Sequence, residues 1–210
     1  KFSSKDEYGV QVLDFDAEAL TNILFHELLE NVQVHAGKGV RHCLIGVWAR
    51  KQAQRTIPEE YPREQQRFFG QWVRQHDFPL LDIAIGDSGQ GIPSSLETAF
   101  DEITPPPREG IPANVTDKDL RLLYWSMTRW STSGGTERDK RETRGLFRVL
   151  RLTRAYQGML TVQSGAAQAG WDHGGQDRPS AIQFVGRNWV PGTLAQIRFV
   201  SRLHAPETKG

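Results

Sequence analysis

The sequence predicts an α/β sandwich, and three observations carry the prediction. Stretches with a 3.6-residue apolar period, beginning near Asp14, at 117–130 and at 144–158, read as amphipathic helices. Short apolar runs at 41–50, 80–87, 159–164, 181–186 and 193–200 read as strands. The two kinds interleave along 210 residues, and several strand pairs are spaced as antiparallel neighbours, which favours helices packed on a sheet.

The first helix has Asp14 and Asp16 as candidate N-caps and Gly37 as its stop. At about 100° per residue, Asn22, His26, Glu30 and Gln33 share one arc, expected to face water. Leu20, Ile23, Leu24, Leu28, Val32 and Val34 share the other, expected to be buried. Glu27, Asn31 and His35 also fall on that apolar arc. A buried carboxylate needs compensation. Either an arginine neutralises Glu27 and Asn31 holds a loop, or this face borders a polar pocket with both side chains aimed at a ligand.

After the strand at 41–50, residues 51–79 are polar and proline-marked, with a short helix expected around Glu64 to Gln75. The strand "LLDIAIGD" (80–87) runs straight into the turn "DSGQGIP". "TPPPREGIP", between Ile103 and Asn114, reads as irregular loop. Thr116 or Asp117 caps the helix that follows, and "STSGGTERDKRET" (131–143) is small, polar and charged, hence a loop. The helix at 144–158 ends at Gly158, and a Gly-rich insertion around "AGWDHGGQDRPS" separates the later strands.

Length and composition describe one globular domain. A net charge of +1 gives no argument for nucleic acid or a membrane surface. No apolar run approaches the roughly 20 residues that span a bilayer, and no signal peptide is visible. Cys43 is the only cysteine, so no internal disulfide forms, and a cytoplasmic setting is expected. Because the chain opens on Lys1, we read it as part of a longer protein with flanking domains or a protein partner.

"IGDSGQGIP" (85–93) admits three chemistries besides a plain glycine turn, which Gly89 and Gly91 would permit. A dinucleotide fingerprint lacks its third glycine, and Pro93 interrupts the expected helix start. "GDSG" also occurs around the nucleophile of chymotrypsin-like proteases. Here His42 and Ser88 lie too close in sequence for that order of residues across two barrels. The third reading joins Asp87 to the first helix. A carboxylate at a strand end can accept a hydrogen bond from an exocyclic amine such as adenine's. The side-chain oxygen of Asn31 could join a Mg²⁺ sphere with phosphate oxygens and water, and Glu27 could orient or deprotonate a water.

These residues carry a resemblance. "HELLENVQVHA" resembles the Glu-x-x-x-Asn box of the Bergerat-fold (GHKL) ATPases, the superfamily of gyrase B, heat-shock chaperones, histidine kinases and MutL. "DSGQGIP" resembles its Asp-x-Gly-x-Gly box, "RGLFRVLRLTRAYQGMLTVQSG" its lid-helix-strand segment, and "PGTLAQIRF" its closing Gly-Thr and strand. The order agrees from about residue 14 to residue 200.

The resemblance implies a histidine-kinase-like ATP-binding domain: a two-layer sandwich whose mixed, mainly antiparallel sheet is covered on one face by helices. It assigns Asn31 to Mg²⁺, Asp87 to the adenine amine, Gly89 and Gly91 to the adenine pocket, and Thr193 beside them. Ser133, Gly134, Gly135, Arg144, Gly145 and Leu146 fall on the phosphate side, and Glu27 takes the general-base position. The lid departs from the family pattern, because Arg141 and Thr143 stand where glycines are usual. Arg141, Arg144, Arg148 and Arg151 form a helix-spaced stripe, read as a solvated face with Arg144 the best phosphate candidate. His26 reads as a surface residue rather than a phosphoacceptor. The stretches 51–79 and 166–191 read as insertions whose Trp72, Trp171 and Trp189 pack satellite cores or mark an interface. The implied functions are a Mg-ATP-dependent ATPase or switch, a kinase acting on a His or Ser of another domain, or a pseudo-ATPase interaction module. A homodimer is compatible with each.

Overall fold

The computed structural model describes residues 24–35, 42–50, 80–105, 108, 110–128, 145–156, 158–173, 180–183 and 189–200. Their elements, in chain order, are α1 (His26–His35), β1 (Cys43–Arg50), β2 (Leu80–Asp87), α2 (Gly91–Asp101), α3 (Lys118–Ser126), α4 (Gly145–Ala155), β3 (Met159–Gly165), β4 (Ala167–Asp172), β5 (Ser180–Gln183) and β6 (Val190–Val200). The expected short helix in 51–79 and the expected loop at 131–143 lie outside the described residues.

The strands form one sheet in the order β1-β2-β6-β3-β4-β5. Every pairing in it is antiparallel, so the mixed character expected from the resemblance is not found among the described residues. Register and the period of two along each strand decide what faces the helices. Ile83, Ile197, Leu160 and Trp171 make one cross-strand row, and Ile85, Ala195, Val162 and Ala169 make the next. All eight are buried in a single core with Leu24, just before α1, Leu28 of α1, Leu96 and Phe100 of α2, Leu122 and Leu123 of α3, and Val149 of α4. The described structure is thus an α/β fold of helices on an antiparallel sheet. Truncating a fully buried leucine such as Leu123 in such a core typically costs about 2–5 kcal/mol.

On the opposite face, Asp82 and Arg198 are direct cross-strand neighbours, and the Arg198 Nε–H donates to Asp82 Oδ1 over 2.7 Å. Both are buried, so each supplies the partner the other requires.

The first helix keeps the predicted arcs where its side chains are described: His26, Glu30 and Gln33 are exposed, while Leu24, Leu28 and Glu27 are buried. Asp117 caps α3, accepting from the Leu120 N–H at 2.8 Å. Two elements depart from the sequence reading. Helix α2 occupies residues taken for a turn, because Pro93 is only its third residue and would have no intrahelical N–H bond to lose there. Strand β4 occupies the first part of the stretch taken for an insertion. Its Trp171 is a core residue, set edge-on to Tyr124 at 5.5 Å, whereas Trp189 is 68% exposed and Trp72 lies outside the described residues.

Candidate functional site

Two corners of the fold gather the residues singled out by sequence. The first is the C-terminal end of β2. Asp87 ends that strand half-buried, and its Oδ1 accepts the Gly89 N–H over 2.7 Å, closing the turn into α2. The Thr193 backbone N–H is its second amide partner. Burial pushes the Asp87 pKa up, and outweighs the two amides that pull it down. Opposite it in register, the exposed Cys43 has its thiol pKa raised by partial burial and by the charge of Asp87.

A β-bulge brings the other wall. Ser164 of β3 faces Thr193 of β6, but the next residue, Gly165, faces Val190, so Pro191 and Gly192 are the extra residues. Gly192 takes φ +72°, and a Cβ there would stand 2.2 Å from the Asp87 carbonyl oxygen and 2.5 Å from its Oδ1. Only a glycine fits. Gly91, at φ +80°, has the same constraint against Ser164 Oγ, 2.7 Å from where its Cβ would be. Gly89, by contrast, contributes its N–H to Asp87.

Helix α2 has no side-chain cap of its own, since Gln90 provides none. Ser164, fully buried on β3, supplies one: its Oγ accepts the Ile92 N–H at 2.8 Å. The same oxygen lies 3.0 Å from the Gly192 carbonyl and 3.1 Å from Thr193 Oγ1. Sequence reading missed Ser164. It lies 72 residues from Ile92 and 28 from Gly192, and no local pattern points to such a contact.

The second corner is the contact between α1 and α4. Glu27 is 3% exposed, and Arg148 Nη1 donates to its Oε1 in an ion pair that the half-exposed arginine closes from the α4 side. Contrary to the solvated stripe expected from sequence, Arg148 neutralises a carboxylate buried on the facing helix. Arg151 is exposed as that expectation had it. One turn from the ion pair, Asn31 lies against Gly145, whose Cβ would stand 2.5 Å from Asn31 Oδ1 and 2.6 Å from Nδ2. The Nδ2 atom is buried and has no hydrogen-bond partner. Leu146 packs against the main core.

The structure thus joins Asp87, Gly89, Gly91 and Thr193 at one corner, and Glu27, Asn31 and Gly145 at the other. Ser133, Gly134, Gly135, Arg141 and Arg144 lie outside the described residues. His26 is exposed and sits 3.8 Å from Glu30, a surface contact of little energetic weight. Among the described residues no three His, Cys, Asp or Glu side chains converge as a metal site would require. No helix among them is long and apolar enough to cross a membrane. No protein-family model, curated protein or solved structure matches the chain.

Proposed function

We propose that this domain binds an adenine nucleotide with Mg²⁺ and serves as a nucleotide-dependent switch within a larger signalling or conformational protein. The observation that carries the reading is the Asp87 corner. There a half-buried carboxylate is steadied by two backbone amides and pairs with no cation among the described residues. Such a group is an acceptor for an exocyclic amine such as adenine's. Asn31 brings a side-chain carbonyl, Oδ1, that could take a place in the coordination of Mg²⁺, while its buried, unpartnered Nδ2 is a donor that a phosphate oxygen or a water would satisfy. An ion there would take its remaining ligands from phosphate oxygens and water, and would offset phosphate charge.

The Glu27–Arg148 pair favours binding without turnover as the second reading. A base must be within reach of the water it activates, and here one carboxylate oxygen of Glu27 is already engaged by a guanidinium. The pseudo-ATPase and the switch share the same binding corner and differ only in what Glu27 can do.

A thermal melt with Mg²⁺ and a non-hydrolysable ATP analogue tests the reading. Ligand at 100 times its dissociation constant should stabilise the native state by about 2.7 kcal/mol. Asp87→Asn should weaken adenine nucleotides by about tenfold or more, the scale of a lost charged hydrogen bond. Asn31→Ala should remove the Mg²⁺ dependence. A parent protein that shows no shift at millimolar analogue would sink the proposal.

A further inference from the structure

The hydrogen bonds at Ser164 leave no freedom in how its proton is used. A hydroxyl offers one O–H donor and two lone pairs. The Ile92 N–H can only donate, so it takes one lone pair, at 2.8 Å. The Gly192 carbonyl can only accept, so it takes the proton, at 3.0 Å. One lone pair remains, facing Thr193 Oγ1 at 3.1 Å. Thr193 must therefore be the donor in that contact. Its own proton is committed, and only its lone pairs are left for anything else.

We propose that Ser164 is a positioning residue that fixes the polarity of the pocket: by holding the Thr193 proton, it makes Thr193 and the neighbouring Asp87 carboxylate an acceptor-only surface selecting an amino-bearing purine edge, adenine over guanine. The proposal rests on the nucleotide reading given above and adds the origin of base choice. Adenine presents its N6 amine where guanine presents the O6 acceptor. Two acceptors facing O6 leave all three oxygens without a proton to share, and unpaired buried polar groups are what such a site penalises most. Ser164 also seats the backbone beside Asp87. It anchors the first turn of α2 through Ile92 and holds the Gly192 carbonyl, and Gly192 lies against Asp87.

The test is the ratio of dissociation constants for non-hydrolysable GTP and ATP analogues with Mg²⁺, measured by calorimetry on the whole 210-residue chain. The parent should prefer ATP. In Ser164→Ala the Thr193 hydroxyl is free to rotate and donate to guanine O6, so the preference should shrink about tenfold, one hydrogen bond's worth. Ser164→Thr, which keeps the hydroxyl, should restore it. If Ser164→Ala does not fold, Thr193→Val decides the matter, since it removes the fixed acceptor and should also erode the preference. A folded Ser164→Ala or Thr193→Val with parental preference overturns the proposal. Equal weakening for both nucleotides overturns it too, because that is the signature of structural support alone. A parent that binds GTP as well as ATP overturns base selection while leaving nucleotide binding standing, whereas a parent that binds neither removes the nucleotide reading and this proposal with it.

Discussion

At the Asp87 corner the carboxylate is held by backbone amides and, through the bulge, by one buried hydroxyl; at the α1–α4 contact the carboxylate of Glu27 is held by another side chain. The first arrangement leaves Asp87 without a cation among the described residues, half-buried and able to accept from a ligand. In the second, the carboxylate of Glu27 is already neutralised by Arg148. Backbone donors orient a charged group without cancelling its charge, whereas a guanidinium does both. The difference separates a carboxylate open to a further donor from one whose availability depends on breaking an ion pair.

The largest effect should come from the bulge. Gly192→Ala would need a side chain at φ +72°, with its Cβ 2.2 Å from a backbone oxygen that no rotamer change can move. Strain and overlap together should cost about 3 kcal/mol or more in urea denaturation. A loss below about 1 kcal/mol, no more than the usual cost of the conformation alone, would show that the bulge has slack and that the Asp87 corner is not rigid.

Acid should act at neither corner first. His173 is 4% exposed, its backbone N–H bonded to the Gly158 carbonyl and its imidazole Nε2 buried without a partner, and burial, with the Arg154 charge adding, lowers its pKa from 6.5 to about 4. The unfolded chain takes up a proton near pH 6.5, but the native state does so only near pH 4. Stability present above 6.5 is therefore lost as pH falls through that window. At about 1.36 kcal/mol per pH unit the loss reaches about 3 kcal/mol. His173→Gln should flatten the stability profile between pH 6.5 and 4, and an unchanged slope would show that acid does not act through His173; Asp87, whose native pKa is raised by burial, acts in the opposite sense, favouring the folded state as pH falls.

How much of this was legible in the sequence follows from the range over which each interaction acts. The arcs of α1 were readable because a helix repeats its environment every 3.6 residues, and His26, Leu24 and Leu28 obey it. Asp87, Gly89 and Gly91 were readable as a strand end and turn, because they are neighbours along the chain. Helix α2 was obscured by Pro93, although the spacing of Ile92, Leu96 and Phe100 marked its buried face. Strand β4 was obscured by glycine and alanine, although Ala167, Ala169 and Trp171 alternate inward. Ser164 and Arg148 lay beyond reach for another reason. Their partners are 72 and 121 residues away, and a serine in a strand or an arginine in a basic helix carries no local sign of them.

The ion pair offers the next sharpest test. Arg148→Gln would leave Glu27 buried and uncompensated. Breaking a fully buried pair costs about 3–5 kcal/mol, but Arg148 is 41% exposed on its side chain, so about 2 kcal/mol is expected. Adding Glu27→Gln should recover much of that loss, because the uncompensated charge goes with it. The double variant should also bind a nucleotide analogue as the parent does, since the Asp87 corner is untouched. Failure of the double variant to recover would mean that the two side chains act through packing rather than charge.

The smallest effect is the one that keeps the comparison clean. Asp117 caps α3 from a position in neither corner, and Asp117→Ala removes its bond to the Leu120 N–H. The expected loss is about 1 kcal/mol, read as a lowered melting temperature. Nucleotide affinity should not move, because neither Asp87 nor Asn31 changes its surroundings. If affinity falls along with stability, weaker binding in the other variants could reflect global softening, and only effects larger than this one could be assigned to a corner. If affinity holds while stability drops, a loss of binding in Asp87→Asn at similar stability belongs to the Asp87 corner itself.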